Sequence, residues 1–234
     1  MQKLHSQKPV QLSEAADAAL LLFSEGGIIM SSAYNVVLHH ASLPIAEFRT
    51  RYQDQARYIG YCQACKNYDH VWSCPSLPFS VADYLAPYQQ VEIIAARIDL
   101  APATIAAADT PEKIRTTGYD IVITVKRQLE DLMLDLEPQL PGSRMLSSGG
   151  CNRCERCARA DKQPCRFPDR MRYSLDSFGF DLSAIAHDLL GIDIEWARDR
   201  LPDHFTLVHA LLLLKPVEYD WERFLQDTAA KFRN

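Results

Sequence analysis

Seven cysteines fall in two knots along this chain, and their spacing is the first sign of chemistry. In Gly149–Arg172, Cys151, Cys154 and Cys157 recur at a three-residue spacing, Cys165 follows, and Pro168 comes three residues later. A short loop with that spacing can wrap an iron–sulfur cuboid and offer one sulfur to each of three corners. Structural zinc more often uses two separated Cys-x2-Cys pairs or Cys/His pairs. The ligand pattern therefore favours a 4Fe-4S cluster. Zinc is the alternative, because Cys151, Cys154, Cys157 and Cys165 also make a complete four-thiolate set. The gap from Cys157 to Cys165 is longer than in a bacterial ferredoxin loop. Cys165 can complete the local site or cross over to serve the other knot.

That other knot is Cys62-x2-Cys65-x8-Cys74-Pro75. It has three thiols, and His70 between Cys65 and Cys74 is the candidate fourth ligand of a zinc-like set. If the three thiolates hold a second cluster, one iron is left open, and an open iron can act as a Lewis acid on a substrate. The spacing differs from the Cys-x3-Cys-x2-Cys run of radical S-adenosylmethionine enzymes. Tyr61, Tyr68, Trp72 and Phe79 surround the knot, either as a shield against water or as core.

Around the main knot Arg153, Arg156, Arg159, Lys162, Arg166, Arg170 and Arg172 face only Glu155, Asp161 and Asp169 in the same stretch. Such cations would stabilise a reduced, anionic cluster. They would equally dock an acidic redox partner protein or an anionic small molecule, or simply keep a loop solvated.

The chain has 234 residues and a net charge of −5, which gives no global case for nucleic acid or an anionic membrane. Its longest uncharged apolar stretches, Ala18–Phe23 and Leu207–Leu214, fall short of the ~20 residues a membrane span needs. An odd cysteine count, with no small-residue cleavage pattern near the start, argues against a secreted disulfide framework. The expected address is a reducing cytoplasm. No Ser/His/Asp constellation, phosphate loop or nucleic-acid motif stands out.

The elements that must position these thiols form an expected α+β or α/β fold, a mixed sheet with flanking helices and both cysteine loops at one end. Residues 1–44 read as an N-terminal accessory segment and 45–234 as the metal-binding domain. Ser13–Phe23 has helical character, Gly26-Gly27 breaks it, and Ile28–Leu38 is strand-like. His39-His40 would point to opposite faces of a strand, so they read as two partly exposed histidines rather than a metal pair. Ile45–Tyr52 and Ser80–Tyr88 read as helices, and Val91–Ile98 as a strand that its alanines weaken. Thr110-Pro111-Glu112 starts a helix that Gly118 is expected to split and Pro138 to end. Asp131, Asp135 and Glu137 on that helix read as a solvated face. Arg144–Ser148 is a short strand, Asp181 caps a helix that Gly191 stops, and Phe205–Leu214 is a buried strand with His209 as a core histidine. An amphipathic helix over Tyr219–Phe232 closes the fold.

The run Cys62-x2-Cys65 … Trp72-Ser73-Cys74-Pro75, then Gly150-Cys151-x2-Cys154-x2-Cys157 … Pro164-Cys165-Arg166-x-Pro168, then Ser174 and Gly179, resembles a known family. It is the predicted metal-binding group called domain of unknown function 2284, and the likeness runs from Ile45 to Leu214. Ser76 departs from the family's second proline after Cys74, an exchange expected to loosen the turn without removing a ligand. The resemblance implies metal binding through these cysteines in soluble prokaryotic proteins and leaves the reaction open.

Overall fold

Four strands carry both knots. The computed structural model describes residues 33–232, so the helix expected over Ser13–Phe23 and the Gly26-Gly27 break lie outside the described residues. Strands β1 (Tyr34–Pro44), β2 (Gln90–Leu100), β3 (Arg144–Leu146) and β4 (His204–Leu213) form one sheet in the order β1-β2-β4-β3. Every neighbouring pair is antiparallel, with Val91 opposite both Leu43 and Leu212. The described helices are α1 (Ile45–Tyr52), α2 (Gln55–Ala64), α3 (Val81–Leu85), α4 (Pro102–Ala107), α5 (Pro111–Leu136), α6 (Leu182–Leu190) and α7 (Trp221–Lys231). This is an α+β fold.

Side chains alternate along each strand, and both faces of the sheet are covered. Val91, Ile93 and Ala95 join Val208, Ala210 and Leu212 beneath α1, α3 and α6. Ile94, Ala96 and Ile98 join Leu207, Leu211 and Leu213 beneath α5 and α7. Ala95 and Ala96 are fully buried, so alanine in β2 reflects helices on both sides rather than a weak strand.

The same double cover corrects the reading of His39-His40. Their side chains leave opposite faces as expected, yet both are buried, at 8% and 6% exposure. His40 Nε2 lies 2.8 Å from the buried Glu92 carboxylate, and its ring stacks on Trp221 at 5.0 Å. Gly118 does not split α5, which runs unbroken for 26 residues. A Cβ there would meet the Phe205 ring at 3.1 Å and Leu201 at 3.2 Å, so glycine lets the helix lie close to β4.

The punctuation of the other helices follows their caps. Thr110 accepts from Lys113 N–H at the start of α5, and Asp181 accepts from Ala184 N–H at the start of α6. Gly191 ends α6 at φ +68°, a left-handed conformation that glycine adopts without strain. Among the described residues, no helix is long and apolar enough to cross a membrane.

Candidate metal centre

Helix α5 is the platform of the main knot. β3 delivers the chain to Ser147, whose N–H donates to Tyr173 O at 2.8 Å while its carbonyl accepts from Leu175 N–H at 2.8 Å. The Ser147 hydroxyl reaches the Glu130 carboxylate on α5. Lys126, one turn earlier and only 3% exposed, donates to Gly150 O at 2.6 Å and Asn152 Oδ1 at 2.9 Å. Arg127 donates to Asn152 O at 2.6 Å. These bonds fix the backbone that enters Cys151.

Beyond that anchor, Cys151, Cys154, Cys157 and Cys165 line one narrow cavity with Trp72, Phe167 and Met171. All seven cysteines are free thiols. Among the described residues no three His, Cys, Asp or Glu side chains are already gathered around a single point as a metal shell. The four thiols line a common space. The residues fit a metal group in donor chemistry, number and apolar lining. Burial pushes the Cys151 thiol up from its ordinary pKa, so a cation must displace its proton to bind.

The first knot sits against the second. Cys62 is in the last turn of α2, and Cys65 N–H donates to Cys62 O at 3.0 Å. Cys74 is buried, and burial, opposed by the Ser73 hydroxyl, raises its thiol to about 11. The carboxylate of Asp176 and the other two thiols add to that rise. Ser73 joins the knots: its hydroxyl accepts from Cys151 N–H at 2.7 Å, and its carbonyl accepts from Ser174 N–H at 3.1 Å. A Cβ on Gly150 would lie 2.8 Å from Asn67 Nδ2 and 3.3 Å from Cys74 Sγ. Gly150 is therefore a point of close approach between the two loops, where a side chain would require Asn67 and Cys74 to shift.

Arg159 closes the contact from the other side. Its guanidinium donates to Val71 O at 3.1 Å, Cys74 O at 2.8 Å, Ser76 O at 2.7 Å and Asp69 Oδ1 at 2.8 Å. It also lies over the Trp72 ring at 5.2 Å. Ser76, expected to loosen the turn, ties it instead. Its N–H and hydroxyl both donate to Asp69 Oδ1, at 3.0 and 2.8 Å. Those two bonds, and then Arg159, hold the Asp69 carboxyl below the usual range.

The basic loop is mostly paired inside the protein. Arg153 and Arg170 both bind Asp131, at 2.7 and 2.8 Å, and Arg156 binds Asp161 at 2.6 Å. Arg172 is held by both Glu137 oxygens, at 2.7 and 2.5 Å, and Glu137 Oε1 also accepts from Met145 N–H at 2.8 Å. Asp131 and Glu137 are thus counter-ions to the knot, which corrects their reading as a solvated face. Both acids lie far from the knot in sequence, Asp131 on α5 and Glu137 just past its end.

His70 is exposed, with Nδ1 2.6 Å from Tyr68 O, and lies beside Asp69 rather than in the thiol cavity. The aromatics divide. Trp72 lines the main-knot cavity and donates Nε1–H to Gln163 O at 3.1 Å. Phe79 packs with Tyr84, Tyr173 and Phe178 in the core, and Tyr61 is 67% exposed. A groove of about 940 Å³ adjoins the knots, with exposed Tyr61, Tyr119 and Trp196 and buried Lys126 on its walls beside Gly150 and Asp176. Asp176 and this groove carry no motif in the sequence. The pairing of Ser73 with Ser174 brings Asp176 toward Cys74.

Fold and donor set define a thiol-rich α+β metal-binding protein. The profile of the family described as predicted metal-binding protein (DUF2284) matches residues 50–213, a span that holds all seven cysteines, and the chain belongs to that family. No curated protein and no solved structure matches it.

Proposed function

We propose that the protein is an iron–sulfur protein of redox chemistry, with a 4Fe-4S cluster held by Cys151, Cys154, Cys157 and Cys165. The observation that carries this reading is the shared cavity of those four thiols, all supplied by one irregular loop. Triple three-residue spacing in such a loop suits the corners of a cuboid better than the paired turns of a zinc ribbon. A bound cluster would supply one-electron transfer. The chain's own part is to hold the thiols, exclude water with Trp72, Phe167 and Met171, and surround them with fixed cations. Cys62, Cys65 and Cys74 form a second metal site. The partner is a redox protein or an anionic small molecule in the cytoplasm.

A second reading, an enzyme acting at the first knot, is favoured by the groove that adjoins it. The deciding experiment is anaerobic purification of the full chain with iron, sulfide and zinc analysis and visible and spin-resonance spectra. Brown protein whose absorbance bleaches on reduction is expected, with the Cys165→Ala variant losing the main-knot signal. Colourless protein with stoichiometric zinc and no iron would overturn the reading in favour of a zinc-stabilised module.

A further inference from the structure

Three thiols leave the first site one donor short, and the fold brings a carboxylate to it. Asp176 opens the 3-10 turn Asp176–Phe178, against which α2 packs. That packing is close enough to require glycine at the turn's end. A Cβ on Gly179, at φ +80°, would fall 2.7 Å from Gln55 Cα. Cys62 on α2 and Asp176 consequently line one cavity of about 300 Å³. From the opposite side, Ser174 N–H on Ser73 O sets the 174–176 segment beside Cys74. Asp176 Oδ1 is buried without a hydrogen-bond partner. A buried carboxylate oxygen left unpaired is costly unless something positive reaches it. A cation held between Asp176 and the neighbouring thiols would satisfy that oxygen.

We propose that Asp176 is the fourth, oxygen donor of the metal site formed by Cys62, Cys65 and Cys74. The proposal deepens the reading of a second metal site and rests on it. It takes the place of His70, which is exposed, bonded through Nδ1 to Tyr68 O, and outside the Cys62 cavity. Three thiolates and one carboxylate would suit a four-coordinate zinc, or a cluster in which each thiolate held one iron and the carboxylate the fourth. Asp176 also borders the large groove, so this shell is the one a ligand in the groove would meet.

The test uses the full chain, reduced and metal-stripped under anaerobic conditions, titrated with cobalt(II) and followed by thiolate-to-cobalt absorption. The wild type, Asp176→Ala, Asp176→Asn, Asp176→Cys, His70→Ala and Cys154→Ala are compared, with circular dichroism as the check on folding. Asp176→Ala and Asp176→Asn should weaken one cobalt equivalent by at least about tenfold and leave the other unchanged. Asp176→Cys should restore that equivalent and add a thiolate band, which keeps the test decisive if the alanine variant folds poorly. His70→Ala should bind as the wild type does. Wild-type affinity and spectrum in Asp176→Ala, or no added band in Asp176→Cys, overturns the proposal alone. A wild-type chain that takes up no cobalt, or a Cys154→Ala chain that loses none, overturns the two-site reading beneath it.

Discussion

Arg159 does at the scale of one residue what no cysteine does, since it belongs to one knot and bonds the backbone of the other. Its fork reaches three carbonyls and the Asp69 carboxylate while stacking on Trp72. Bonds from a charged donor are each worth about 1.5–3 kcal/mol, and a planar fork holds several acceptors at fixed angles. Arg159→Ala should therefore cost about 2–3 kcal/mol and speed metal loss to a chelator from the proposed Cys62, Cys65 and Cys74 site. Arg159→Lys should recover only part of this, because an ammonium lacks the flat fork. Chelator-release kinetics beside thermal melts check both, and full rescue by lysine would show that charge alone matters. Residues were legible where type and spacing coincide, as with the seven cysteines. Arg159, Ser76 and Asp176 were not, because each acts through a partner some 7 to 90 positions away or through none in sequence reach.

Apolar period and caps mark the elements of this chain where those signals are strong. Helices α1 and α6 and strands β2 and β4 each bury a continuous face or both faces. Helix α2 escaped because none of its residues is buried, so it shows no apolar stripe; Asp54, accepting from Arg57 N–H, and the close approach at Gly179 hold it. Helix α5 was expected, but not its second task. One side packs on the sheet, while Lys126, Glu130 and Asp131, with Glu137 just past its end, gather the knot's backbone and cations. The Glu137–Arg172 pair is about nine-tenths buried on both sides. Breaking such a pair by removing one partner costs about 3–5 kcal/mol, since a charge is left uncompensated. Arg172→Ala and Glu137→Ala should each lose roughly that amount in chemical denaturation. Arg172→Met with Glu137→Leu should lose less than either single change, and a double variant as weak as the sum would rule out direct pairing.

At the scale of the whole molecule, the sheet's double cover decides how the protein answers acid. His209 lies in the middle of β4 beneath α5, fully buried, with neither ring nitrogen partnered. Burial lowers its pKa from 6.5 to about 4; Glu130 pushes it up and Lys126 pushes it down, and burial dominates. The unfolded chain therefore binds a proton at this site that the folded chain refuses between pH about 6.5 and about 4. Above that window the residue leaves stability untouched by pH. As pH falls through it, stability drops, by about 3 kcal/mol at most when the shift is converted at 1.36 kcal/mol per unit. His209→Met keeps the volume apolar and removes the titration. Its stability should fall less steeply than the wild type's from pH 6.5 to 4.5, measured by denaturant midpoints at fixed temperature. Thiol protonation and metal release act on both chains alike, so the difference between the two curves isolates the histidine. Parallel curves would mean that His209 finds a proton partner in the folded state. Diverging curves would mean that the same buried sheet that gathers the two knots also sets the acid limit of the fold holding them.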